Sequence, residues 1–330
     1  MSRLSALGAA LAVLTLVAAC QSPATGVPAS PRVYRIGYLA SGSPPRSPFQ
    51  DAFVQALGEL GYVEGENLTV EFRYAEGQDD RLPGLASELV VAPVDVIVGA
   101  STPAVLAARN TTRSIPIVMA AVADPVGSGL VESLARPGGN VTGPTLLATE
   151  LAGKRLEILK EVVPGMARVA VLWNPTNPSK VRDWVETQAA AEALGVEVVS
   201  LEGPSTDQIR VALERLGEVS ADGMIVVGDP LTVALRMTIA ERAAQAHLPA
   251  IYETPDFVEA GGLIAYGPNR FDVYRRAAMY VDKILKGARP ESLPVEYPTR
   301  FELVVNETAA DALGLKFPDS VLASTDRTIR

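Results

Sequence analysis

From residue 34 onward, short apolar runs alternate with helical patterns almost without a break, and few architectures can accept that rhythm. "YRIGYLA" (34–40) reads as a strand. "SPFQDAFVQALGEL" then places Phe49, Phe53, Ala56, Leu57 and Leu60 on one helical face, with Gly61 as its stop. "LTVEFRY", a helix near 80–91, the strand "VDVIVGA", a helix from Pro103 and the strand "IPIVMAAV" continue the series. Strands that are apolar on both faces imply a parallel sheet covered by helices. The second half repeats the pattern with "RVAVLWN" (168–174), a helix over 179–194, "VEVVSL", a helix over 205–217, "GMIVVGD", a helix over 231–245 and "LPAIYE". Even the wording recurs, since "VDVIVGASTPAVLAA…IPIVMAA" runs beside "ADGMIVVGDPLTVAL…LPAIYE", which suggests internal duplication. The expected class is α/β, with two open sheet units.

The first residues stand outside this pattern. "MSRLSALGAALAVLTLVAAC" carries Arg3, a short apolar stretch and small residues before Cys20, the layout of a secretory signal rather than a membrane span. Leu16-Val17-Ala18-Ala19-Cys20 resembles the bacterial lipobox, which implies cleavage before Cys20 and a diacylglycerol on its sulfur. Cys20 is the only cysteine, so the body can hold no disulfide framework, thiolate metal site or cysteine nucleophile. Residues 20–32, with no hydrophobic periodicity, read as a flexible tether. Without residues 1–19 the charge falls from -9 to 28 minus 38, or -10, which argues against binding a phosphate backbone. No later apolar run reaches the roughly 18 residues of a membrane span.

In open parallel sheets, ligands bind beyond the carboxyl ends of the strands, among loops and helix N-termini. Ser41 and Ser43, then Ser101 and Thr102, occupy such loops and can hold a ligand carboxylate. Two apolar runs end alike, at Asp124-Pro125 and Asp229-Pro230, each before a segment that reads as helical. Each aspartate has two readings: an ammonium-binding carboxylate, or a cap before a proline-started helix.

The residues lead to a family at this point. "IGYLASGSP", "LGYVEGENLTVEFRYAEG", "DPVGSGLVESLARPGGNVTG", "LAGKRLEILKEVVP", "VLWNPTNP", "IYETPDFVEAGGLIAYGPN" and "FELVVNETAADALGL" resemble the substrate-binding lipoproteins of ABC transporters, in the group that includes tryptophan/tyrosine-type binding proteins. The resemblance implies the type I periplasmic-binding fold: two Rossmann-like lobes joined by a three-strand hinge, closing on a small solute and delivering it to a permease and its ATPase. It divides the chain into a first lobe of 33–145 plus 268–290, a second of 146–262 plus about 294–330, and a hinge crossover at 263–267. The tail from about Pro294 can finish either sheet. Gly261, Gly262 and Gly267 are the hinge candidates.

Carried onto this sequence, the family pattern adds Asn174, Tyr252, Glu253, Phe257 and Tyr266 to Ser41, Ser43, Ser101, Thr102, Asp124 and Asp229 as ligand contacts. Tyr252, Phe257 and Tyr266 would form a stacking surface, although core packing is the competing reading for Tyr252 and Phe257. Carboxylates facing hydroxyls and helix N-termini match a zwitterion, hence an amino acid, aromatic or branched. The expected protein is a monomeric, lipid-anchored, extracytoplasmic binder with no cofactor, metal, nucleic acid or catalytic role. The alternatives are a ligand sensor that signals to a membrane receptor and, more weakly, a cleft hydrolase. "GSGLVE" has Glu132 where a dinucleotide fingerprint needs its last glycine, and the sole histidine, His247, has no second metal ligand or triad beside it.

Overall fold

The computed structural model describes residues 32–330; the signal, Cys20 and nearly all of the tether lie outside the described residues. Within 33–330, which forms one compact unit, the strands make two sheets. The first lobe contains β1 (Tyr34–Ala40), α1 (Pro48–Glu59), β2 (Leu68–Tyr74), α2 (Leu82–Val91), β3 (Val96–Gly99), α3 (Thr102–Thr111), β4 (Ile117–Met119) and β5 (Val141–Thr142). Its strands run parallel in the order β2-β1-β3-β4-β5.

The second lobe follows with α4 (Ala152–Val162), β6 (Arg168–Trp173), α5 (Pro178–Leu194), β7 (Glu197–Glu202), α6 (Thr206–Glu214), β8 (Gly223–Val226), α7 (Pro230–Ala234), α8 (Arg236–Gln245), β9 (Ala250–Tyr252), α9 (Pro255–Glu259) and β10 (Ile264–Pro268). The chain then returns to the first lobe as α10 (Arg270–Leu285), which packs on α1 through Tyr274, Ala277, Ala278 and Val281. It ends in the second sheet with β11 (Phe301–Asn306), α11 (Glu307–Ala312), α12 (Asp319–Ala323) and β12 (Arg327–Ile329). That sheet is ordered β12-β11-β10-β9-β8-β6-β7, parallel except for the antiparallel β10–β11 pair.

The double-faced apolar pattern has a direct structural cause. In β6, Val169 and Val171 enter one core layer while Ala170 and Leu172 enter the layer on the opposite face. In the first lobe, Ile36 and Tyr38 face one layer and Leu39 the other, and Val96 and Val98 are split from Ile97 in the same way. Successive strand side chains point to opposite faces, so a sheet covered on both sides needs an apolar residue at each position.

Two expectations change here. Residues 124–134 form turns rather than a helix. Gly127 and Gly129, the latter with φ +66°, break the pattern there, and Asp124 caps a turn by accepting from the Gly127 amide at 2.7 Å. The three glycines expected in the hinge all lie in the second lobe. Gly261 (φ +98°) closes α9, whereas Gly267 sits within β10, where a Cβ would meet the Glu253 carbonyl oxygen at 2.1 Å. Gly262 is likewise packed on the Tyr252 ring. Close approach accounts for the last two, and the chain passes between lobes next to them, at 143–151, 268–270 and 293–301.

Candidate functional site

A cavity of about 440 Å³ lies between the lobes and is walled by the carboxyl-end loops of both sheets. From the first lobe come Ser41 and Ser43 after β1, Phe49 and Gln50 at the start of α1, Tyr74 at the end of β2, and Ser101 and Thr102 at the start of α3. Arg270 and Tyr274 reach it from α10. The second lobe contributes Asn177, Ser179 and Lys180 at the start of α5, Asp229 before α7, and Glu253, Thr254 and Asp256 around the start of α9.

Local sequence explains these positions. Ser47, Ser101, Asn177 and Asp229 cap helices that begin with proline at their first or second residue, so each loop turns sharply into a helix at the sheet edge. Asp229 is 2% exposed. One of its oxygens accepts from the Leu231 amide at 3.0 Å and from Asn174 Nδ2 at 3.2 Å, and the other accepts from Asn177 Nδ2 at 2.8 Å. Burial nonetheless holds its pKa above the ordinary 3.8. Asp79, in the first lobe, is raised as well, first by burial and then by the charge of Asp229. Asp229 thus keeps a carboxylate in the cavity wall where burial disfavours its charge, and a cation beside it would favour the ionised form.

The other charges are largely engaged within the protein. Lys180 Nζ lies 2.7 Å from Asp183 and 3.6 Å from Glu253, and Glu253 also accepts from the Gly228 amide at 2.9 Å. Burial opposes the Lys180 charge, yet Asp183 and Glu253 hold its pKa above the usual value. In the first lobe the Ser41 and Ser101 hydroxyls are 2.8 Å apart, and Ser101 also caps the Ala104 amide.

Of the residues expected to touch ligand, Ser41, Ser43, Ser101, Thr102, Asp229 and Glu253 line the cavity. Asn174 stands behind it, holding Asp229. Asp124 does not line it; its carboxylate lies 3.5 Å from Arg182 of α5, across the seam between lobes. Tyr252 and Phe257 stack on each other, ring centroids 4.7 Å apart, inside the core of the second lobe, while Tyr266 packs beside Phe301 against the layer on the other face. They lie in the core because they point into the sheet's covered faces. The aromatic wall comes from the opposite lobe instead, as Phe49, Tyr74 and Tyr274. Lys180, Asp256 and Arg270 were also absent from the expected set. "SPFQ" and "NPSK" carried the usable signal, a capping residue and proline directly after a strand-end loop.

His247 lies in the turn that closes α8, away from the cavity. Among the described residues there is no cluster of His, Cys, Asp and Glu able to hold a metal ion, and no helix long and apolar enough to cross a membrane.

An interlobe cavity at the strand ends of two open α/β sheets, linked by three crossings, defines a two-lobed solute-binding protein. Residues 43–329 match the family described as ABC transporter substrate binding protein, and the chain belongs to it. It is 29% identical over 265 residues to the tyrosine-binding protein of Clostridioides difficile (strain R20291), covering 80% of this chain and 76% of that one. A crystal structure of a conserved domain protein from Vibrio cholerae O1 biovar El Tor is 30% identical, with a TM-score of 0.84 over 90% of this chain and all of that one. An ABC domain from Streptococcus pneumonia in complex with L-Trp is 27% identical over the same shares, with a TM-score of 0.82. The ligand-free, open structure of a substrate binding protein with adhesive properties from Clostridium difficile has the same identity and coverage but a TM-score of 0.64.

Proposed function

We propose that this protein is the extracytoplasmic solute-binding component of an ABC importer and that it captures an amino acid with a planar side chain. The observation that carries the reading is the cavity itself, where the buried carboxylate of Asp229 in one wall faces Phe49, Tyr74 and Tyr274 in the other. An ammonium group beside Asp229 favours its ionised form, and a flat side chain lies on the rings of the first lobe. The tyrosine-binding relative and the relative in complex with L-Trp support the same cargo class. Closure of the second lobe over the first encloses the solute, and the closed form is what the permease recognises. Cys20, carrying the lipid, tethers the body to a membrane through residues 21–32.

The test is a thermal-shift screen of residues 33–330 against amino acids, short peptides, purines and sugars, followed by calorimetry. The expected result is a rise in melting temperature with L-tyrosine or L-tryptophan, one molecule bound per chain and the ligand recovered unchanged. A shift with purines or sugars and none with amino acids rejects this cargo.

A further inference from the structure

The cavity contains a cation that the protein holds without a close carboxylate partner. Three positive side chains line it: Lys180, Arg236 and Arg270. Lys180 is held by Asp183 and Glu253, and Arg236 donates to the Val233 carbonyl at 3.2 Å. Arg270 differs from both. Its guanidinium lies 4.4 Å from the centre of the Phe49 ring and 6.0 Å from that of Tyr274, with the side chain 15% exposed. Its carboxylate neighbour, Asp256 of the second lobe, is 3.9 Å away, beyond hydrogen-bond reach. Both Arg270 Nε and the facing Asp256 Oδ2 are buried without a hydrogen-bond partner.

Three of the four hydroxyls that suggested a carboxylate pocket are engaged elsewhere. Ser41 and Ser101 pair with each other, Ser101 also caps α3, and Thr102 Oγ1 donates to Ser179 Oγ at 3.4 Å. A guanidinium is planar, permanently charged and shaped for two parallel hydrogen bonds to a carboxylate. Stacking on Phe49 fixes its plane before any ligand arrives, and a carboxylate entering the cavity gives the guanidinium the close anionic partner that Asp256, at 3.9 Å, does not.

The geometry points to Arg270 as the anchor for the carboxylate of the cargo, so that a free carboxylate beside the ring is what the site demands. This deepens the amino-acid reading and rests on it for the ligand's other half. Because Arg270 follows directly on the second crossing and faces Asp256 across the cleft, a carboxylate held there sits where the two lobes meet.

Calorimetry on the chain of residues 33–330 with L-tyrosine, L-tryptophan, their amides and indole-3-propionate tests the assignment, using wild type, Arg270→Met and Arg270→Lys. The wild type is expected to favour each amino acid over its amide by about ten- to hundredfold, the range of a charge-assisted hydrogen bond. Arg270→Met is expected to reduce the amino acids to the level of their amides while leaving the amides unchanged, and Arg270→Lys to restore part of the preference. Equal binding of acid and amide by the wild type overturns the anchor without any variant. So does an Arg270→Met protein with an unaltered melting curve that keeps the preference. If indole-3-propionate binds as well as L-tryptophan and both depend on Arg270, the anchor stands and the requirement for an ammonium group falls.

Discussion

The two walls of the cavity solve different halves of one recognition problem. The first lobe offers rings, with Phe49, Tyr74 and Tyr274 around Arg270, and hydroxyls already bonded to one another. The second offers ionised and amide groups, where Asp229 is gripped by Asn174, Asn177 and the start of α7, and Lys180 by Asp183 and Glu253. A ring set selects by area and plane, while a polar network selects by charge and hydrogen-bond direction. Neither wall alone encloses a solute. The difference explains why a binding protein of this kind benefits from two lobes: discrimination is complete only once they close.

The largest effect is expected from breaking the polar wall at its centre. Asp229→Ala removes the partner of a ligand ammonium and strands the Asn174 and Asn177 amides and the Leu231 N–H. It should lower both cargo affinity and folding stability by about 1–3 kcal/mol each. Calorimetry and melting curves separate the two losses, and a loss of stability alone reduces Asp229 to a cap. Asp229→Asn sharpens the comparison through pH. The pKa of Asp229 is raised by burial above 3.8, and an ammonium ligand needs the ionised form. Affinity should therefore decline as pH falls through a window beginning above the ordinary carboxylate range, and the asparagine variant should flatten that decline. The sign for folding is opposite. A folded state that holds this proton more tightly than the unfolded chain is favoured at low pH, so the contribution of Asp229 to stability fades as pH rises through the raised value.

Breaking the aromatic wall should cost less. Phe49→Ala removes a face of the cavity and the platform under Arg270, and the expected loss of affinity is about 0.5–1.5 kcal/mol beyond the lost apolar area. The comparison predicts its character too. Affinity for aromatic amino acids should fall further than affinity for small ones, which lose only the fixed plane of Arg270, whereas Asp229→Ala lowers both alike. Calorimetry with L-tyrosine and L-alanine on the two variants reads this difference directly.

Much of the fold was legible because it rests on local pattern. "YRIGYLA" and "LTVEFRY" coincide with β1 and β2, and the doubly apolar runs anticipated sheets covered on both faces. The segment after Asp124 misled because its apolar residues carry helical spacing while Gly127 and Gly129 break the backbone. Strand-end hydroxyls and acids were legible for a related reason: a cap and a proline after an apolar run mark where a loop turns at the sheet edge. The aromatic residues were not. Tyr252 is a strand residue and Phe257 lies within α9, and whether such a ring faces cavity or core depends on which face of the sheet the neighbouring helices cover. Arg270 escaped for a further reason. It belongs to a helix that crosses back from the other half of the sequence, so its nearness to Phe49 is set by topology and not by spacing.

The smallest effect concerns the seam rather than either wall. The tightest bonds inside the second wall are short, at 2.7 Å for Lys180–Asp183 and 2.8 Å for Asn177–Asp229. Those that cross between lobes are longer: 3.4 Å for Thr102–Ser179, 3.5 Å for Asp124–Arg182 and 3.9 Å for Arg270–Asp256. A seam that must reopen is better served by such contacts than by a tight network. Asp124, expected to hold cargo, instead holds the neighbouring lobe, and Arg182 is 56% exposed, so the pair is worth little. Arg182→Glu should speed cargo release about two- to fivefold, with association less affected because the contact joins the two lobes. Added salt should shrink the difference as screening weakens both the attraction and the engineered repulsion. Stopped-flow release of L-tyrosine from wild type and Arg182→Glu, at low and high ionic strength, measures both. Equal release rates at low salt would make the contact incidental to closure, and a salt-independent difference would assign the effect to loss of the arginine stem rather than to its charge.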